Sequence, residues 1–127
     1  MNFVLLCTAT LVILYAALSV NVSRVRIQGR GPSRVTEAQL TQAVRAHGNA
    51  SEYIPLLVVL LLYLDSAAPG LFLDVIAGVA TLSRIVHVAA MLVPFEITSR
   101  HRLRFVGALG TYASLFTLGA ALVQHAL

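Results

Sequence analysis

"RAHGNASEYIPLLVVLLLYLD", Arg45 to Asp65, opens on charged and polar side chains and ends in a run that would dissolve in oil. From Ile54 to Leu64 no residue is charged, yet an arginine, a histidine, an asparagine and a glutamate lead straight into that run. The composition of the whole chain explains where such a segment can live. Of 127 residues, 58% are hydrophobic and only 11% are charged. One small core in water cannot bury that much apolar surface, so the bilayer is the solvent the sequence calls for.

Four apolar segments approach the twenty or so residues that a bilayer-crossing helix requires. We place helices at about 2–25, 37–64, 71–94 and 103–125, which leaves no separate soluble domain. The expected fold is all-α, an integral membrane four-helix bundle forming a single domain over residues 1–127. The first segment has its cationic residues after the apolar run, the wrong polarity for a cleaved secretory signal, and is expected to stay as a helix. "QGRGPSR", Gln28 to Arg34, reads as a flexible linker. Thr36, followed by Glu37 and Gln39, marks an N-cap at the start of the second helix.

All nine basic residues are arginines, unevenly placed. Arg24, Arg26, Arg30 and Arg34 follow the first apolar segment, Asn2 to Val22, and Arg100, Arg102 and Arg104 precede the fourth, Phe105 to Leu127. "DSAAPG", Asp65 to Gly70, carries one acid and no base. The positive-inside rule puts both basic loops in the cytoplasm and both termini outside, as in a bacterial inner membrane. The net charge of +4 thus reflects topology and contact with anionic lipid, and calls for no nucleic acid. Cys7 is single, and there is no CxxC, no metal-spaced cluster, no P-loop and no GxGxxG.

Helical phase gathers the polar residues. Arg45, Asn49 and Glu52 lie at i, i+4 and i+7 and share one face, from which His47 points away. Arg84 and His87 share a face of the third helix. With membrane boundaries near Thr41 and Pro94, a rise of about 1.5 Å per residue puts Asn49 and His87 roughly 10–12 Å deep. The same arithmetic puts Glu52 and Arg84 both roughly 15–16 Å deep. A charge alone in hydrocarbon costs several kcal/mol, so Glu52 and Arg84 are expected to pair. Arg45, His47 and Asn49 suit a polar recess that takes an anion. Pro55 cannot donate to the carbonyl of Ser51 and is expected to bend the helix there. Gly107, Gly110, Ser114 and Thr117 form a small-residue ridge, fit for packing within a subunit or between subunits.

"RAHGNASEYIPL" at Arg45 to Leu56, "SRIVHVAAM" at Ser83 to Met91 and the four-helix length together resemble the MAPEG family, the membrane-associated proteins of eicosanoid and glutathione metabolism. The resemblance implies a homotrimer that holds glutathione, as co-substrate, at subunit interfaces near the cytoplasmic side. Carried over by position, Arg45, Asn49, Glu52 and His87 would contact the tripeptide, joined by Arg84 and by Arg24 or Arg26. Arg104 would hold the thiolate, with Arg100 and Arg102 competing for that role. Glutathione has two carboxylates and one ammonium, so several guanidiniums and one carboxylate complement it in sign and number. The implied activity is a detoxifying transferase or peroxidase for small lipophilic electrophiles that arrive through membrane lipid. Relatives of the eicosanoid type have tyrosines where this chain has Met91 and Ala108, and some have an arginine where it has Gly48. Tyr112 lies one turn beyond Ala108 and substitutes only in part. These departures argue against eicosanoid synthesis, and the compact loops point to a prokaryotic member. The alternative reading is a non-catalytic membrane protein that binds glutathione or another anion, or a small transporter that uses Glu52.

Overall fold

The computed structural model of the chain describes residues 2–30, 35–93 and 99–127, with Ser99 and Arg100 described by their backbone alone. Four helices follow one another, α1 (Phe3–Gln28), α2 (Glu37–Ala67), α3 (Leu71–Leu92) and α4 (Ser99–Ala126). Each is long and apolar enough to cross a membrane. At about 1.5 Å per residue α2 measures roughly 46 Å, more than the roughly 30 Å of hydrocarbon, so its polar first turns can stand clear of the lipid. The ends depart from expectation where charge, rather than hydropathy, sets them. α1 continues past its expected end to include Arg26, and α4 begins early enough to include Arg100 and Arg102, so these arginines are helical rather than in loops. α3 ends at Leu92, and the expected boundary at Pro94 lies outside the described residues, as do residues 31–34 of the linker.

Local signals account for the helix starts. Asn2 caps α1, its Oδ1 accepting from the Leu5 N–H at 2.9 Å. Thr36 caps α2 as expected: its Oγ1 accepts from the Gln39 N–H at 3.2 Å, and the Gln39 side chain accepts from the Thr36 N–H at 2.9 Å. That reciprocal exchange satisfies two backbone donors that the first turn would otherwise leave open. α2 runs through Pro55 as one helix.

Helices consecutive in the chain run antiparallel. α2 and α3 occupy the middle of the bundle, and α1 and α4, on its flanks, do not touch among the described residues. On α2 the buried residues Ala43, Ala46, Ala50, Ile54, Leu57, Leu61 and Leu64 recur at three and four, the period of a helix face turned to its partners. Leu11 and Leu118 are buried from either side, and Ala77 and Ala80 bring α3 close. The outward surface carries large apolar side chains, with Ile13 68%, Leu71 78% and Phe116 81% exposed. In water that would be untenable, while in a bilayer it is the solvated surface.

Gly107 and Gly110 set the approach of α4 to α3. A Cβ at Gly107 would lie 2.7 Å from the His87 Cβ and 2.8 Å from both the His87 nitrogen and the Ser83 oxygen, and one at Gly110 would strike Ser83. The two glycines of the small-residue ridge therefore serve packing inside the protomer, where Thr111 and Ser114 are also buried.

Candidate functional site at the arginine-rich end

The buried face of α2 dictates where its polar stripe goes. With Ala46 and Ala50 turned inward, Arg45 and Glu52 fall on the far, exposed side, and Asn49 on the flank is half-buried. From that flank Asn49 meets α3. Its Oδ1 accepts from Arg84 Nη2 at 2.9 Å, and the guanidinium carbon of Arg84 stands 5.3 Å from the centre of the Tyr53 ring. Arg84 is 1% exposed, and its Nε has no partner among the described residues. Asn49 thus holds a guanidinium in the bundle rather than lining an open recess.

This corrects the expected Glu52–Arg84 ion pair: among the described residues none joins them. The register explains why. Gln42 Nε2 donates to the carbonyls of Met91 at 2.8 Å and Val93 at 3.0 Å, so Gln42 stands level with the last turn of α3. Seven residues further along each helix, Asn49 stands level with Arg84. Glu52 lies three residues beyond, about 4.5 Å along the axis, on the outer face. Phase along one helix was right; the axial offset between two helices was not.

His47 is drawn away to α1, as its phase implied. Its Nε2 lies 2.9 Å from Ser19 Oγ, and its ring stacks on Tyr15 with centroids 5.1 Å apart at 14°. His87 is buried, 7% exposed, with Nδ1 2.9 Å from the backbone carbonyl of Arg104. A carbonyl only accepts, so Nδ1 is the protonated nitrogen of that ring.

What the fold does gather is a cavity of about 360 Å³ between α2, α3 and α4, lined by Glu37, Thr41, Gln42 and Arg45 of α2, Met91 of α3 and Arg104 of α4. Of the residues singled out in the sequence, Arg45 and Arg104 meet here. Asn49, Glu52, Arg84 and His87 do not line it. Arg24 is exposed on the last turns of α1, and Arg26 lines a separate hollow of about 410 Å³ with Arg30, Thr36 and Glu37. Arg102 is exposed, and the side chain of Arg100 lies outside the described residues.

Three lining residues escaped the sequence reading as site residues. Gln42 closes the α3 side by binding the last carbonyls of that helix, which have no partner within it. Thr41 and Glu37 lie one and two turns before Arg45, and that i, i+4, i+8 spacing was the available signal. Two guanidiniums and one carboxylate facing one hollow make a net cationic site for a ligand with more anionic than cationic groups. Its volume is near the lower end of the range for small-molecule sites. Among the described residues no cluster of histidine, cysteine and acid could hold a metal ion.

The sequence model of the MAPEG family matches residues 4–124, nearly the whole of this bundle. The chain is a member of the MAPEG family. Two curated relatives, each named inner membrane protein YecN and found in Escherichia coli strains K12 and O6:H1, are 35% identical to it over 79 residues. That alignment spans 59% of this chain and 59% of each relative. Family membership, four apolar helices and an inner-membrane relative together make this MAPEG protein a multi-pass integral membrane protein.

Proposed function

We propose that this protein is a glutathione-dependent transferase or peroxidase for lipophilic electrophiles, working as a homotrimer in a bacterial inner membrane with its arginine-rich end in the cytoplasm. The observation that carries this reading is the convergence of Arg45 and Arg104, from helices far apart in sequence, on one cavity that also holds Glu37. One carboxylate of the tripeptide suits Arg45, its ammonium suits Glu37, and its thiol is left for Arg104. A fixed guanidinium stabilises S⁻ without exchanging protons itself, so the thiol proton leaves to water and the thiolate fraction rises. With an aryl halide the thiolate sulfur forms the C–S bond as the carbon–halogen bond breaks and halide departs. Exposed Glu52 supports the oligomer, since a carboxylate on the outer face of a membrane helix is costly against lipid and is relieved by a neighbouring protomer.

A chromogenic aryl halide assay on protein purified in detergent tests the reading. Wild type is expected to consume glutathione, and Arg104→Ala to lose about 100-fold in kcat, the scale for removing one preorganised charge-stabilising donor. An Arg104→Ala protein as active as wild type would remove that role. The non-catalytic reading draws support from Met91 and Ala108, which offer no hydroxyl beside the thiol. It prevails if glutathione protects the protein from heat and is never consumed.

A further inference from the structure

We propose that the hollow between the end of α1 and the start of α2 seats the headgroup of one anionic phospholipid, with its phosphate held between Arg26 and Arg30. The site stands apart from the transferase reading. Its hollow, about 410 Å³, has both guanidiniums on the α1 side and the Thr36 hydroxyl on the α2 side. The backbone keeps the two arginines one turn apart. Gly29 stays in the right-handed helical region, its N–H donating to the Val25 carbonyl at 3.0 Å, and the Arg30 N–H donates to that of Ile27 at 3.1 Å. Two guanidiniums spaced roughly 6 Å along one helix face can close on a single phosphate from two sides. Glu37 lines the same hollow, yet among the described residues no ion pair joins it to either arginine, so the cationic pair is open to an anion.

Depth and lining favour a lipid over a free anion. Counting about 1.5 Å per residue from Phe3, Arg26 lies roughly 35 Å along α1, past the roughly 30 Å of hydrocarbon and level with the headgroup layer. Beside the arginines the hollow is walled by Val25, Val35 and Leu40. A free anion gains nothing from such walls, whereas the glycerol ester and first methylenes of a lipid gain apolar contact. Val35 is packed on the end of α1, its Cβ 3.9 Å from where a Cβ on Gly29 would stand, so that wall belongs to the fold. The charges then select the headgroup. Two guanidiniums and one carboxylate sum to one net positive charge. A phosphodiester with an uncharged polyol, as in phosphatidylglycerol, cancels it, and the polyol hydroxyls can donate to Glu37. Zwitterionic phosphatidylethanolamine leaves it uncompensated.

Native mass spectrometry of delipidated protein in an uncharged detergent tests the site, with dioleoyl phosphatidylglycerol, dioleoyl phosphatidylethanolamine and inorganic phosphate as probes. One phosphatidylglycerol per chain is expected to stay bound, about 10-fold more tightly than phosphatidylethanolamine, and excess phosphate should not displace it. Arg26→Gln and Arg30→Gln should each weaken retention about 10-fold, the scale of one hydrogen bond to a charged group, while Arg102→Gln, at an exposed arginine on the other flank, stays within about 2-fold of wild type. Arg26 and Arg30 are both exposed, so their variants should melt with wild type in lipid-free detergent, which keeps unfolding out of the comparison. Equal losses in all three variants, or equal retention of the two lipids, would reduce these arginines to diffuse attraction and overturn the proposal. Phosphate that competes the lipid off would make this a free-anion site, and glutathione that does so would give Arg26 to the tripeptide; either result overturns it as well.

Discussion

Asn49 accepts a hydrogen bond from a guanidinium that is almost wholly sealed from solvent, and that makes it a stability residue before anything else. Removing the acceptor leaves a buried charge with two nitrogen positions unsatisfied, since Nε already lacks a partner among the described residues. Asn49→Leu should therefore cost about 2–3 kcal/mol, the scale of a lost bond to a charged group, read as a lower Tm in detergent. Asn49→Asp, which supplies opposite charge at the same place, should raise it. A Leu variant that melts with wild type would show that Arg84 finds another acceptor. Sequence reasoning correctly took Arg84 as a charge that needs a partner in lipid, but assigned Asn49 to an anion-binding recess. It paired Arg84 with Glu52 because boundaries taken at Thr41 and Pro94 set the slide between the two helices about three residues away from the register that Gln42 and Asn49 fix.

At the scale of elements, the two flanks of the bundle are fastened by different means. α1 is held to α2 by His47 on Tyr15 and Ser19, and at the far end by Asn2 Nδ2, which donates to Asp65 at 2.7 Å. α4 is held to α3 by backbone proximity that only glycine permits. Gly107→Ala should force the two helices apart, at a cost of about 1–3 kcal/mol in thermal stability, as for an overpacked core. Gly119 has nothing within 4 Å of an added carbon, so Gly119→Ala should be neutral or stabilise by up to about 1 kcal/mol through helix propensity alone. Equal Tm shifts for the two would show that the α3–α4 contact gives way freely. The four spans and the Thr36 cap were legible in the sequence because hydropathy and capping chemistry are local. The partner of the glycine ridge was not, since small residues permit close approach without saying to what.

For the whole molecule, the isolated protomer leaves Glu52 on an outer face of α2. Under the proposed assembly that face is covered, so the detergent-corrected mass should equal three chains, and Glu52→Leu should leave the fold intact while lowering glutathione protection against heat. A monodisperse single chain that still binds glutathione would refute the interface reading. Two residues of the cavity lining were legible as site residues, Arg45 and Arg104, through charge and family pattern. Glu37 and Gln42 were not, because an acid in a first helical turn and a neutral amide have ordinary local uses that conceal a long-range one. Across the middle of the protomer, meanwhile, α2 and α4 meet more sparsely than any other touching pair, linked by the hydroxyls of Tyr53 and Tyr112 at 3.3 Å. That narrow suture is the sparsest of the contacts between the two hairpins, α1 with α2 and α3 with α4, which are also joined where α3 packs on α1 and α2. A greasy guest that parted those two phenols would next meet the Arg84 guanidinium, which stands over the Tyr53 ring.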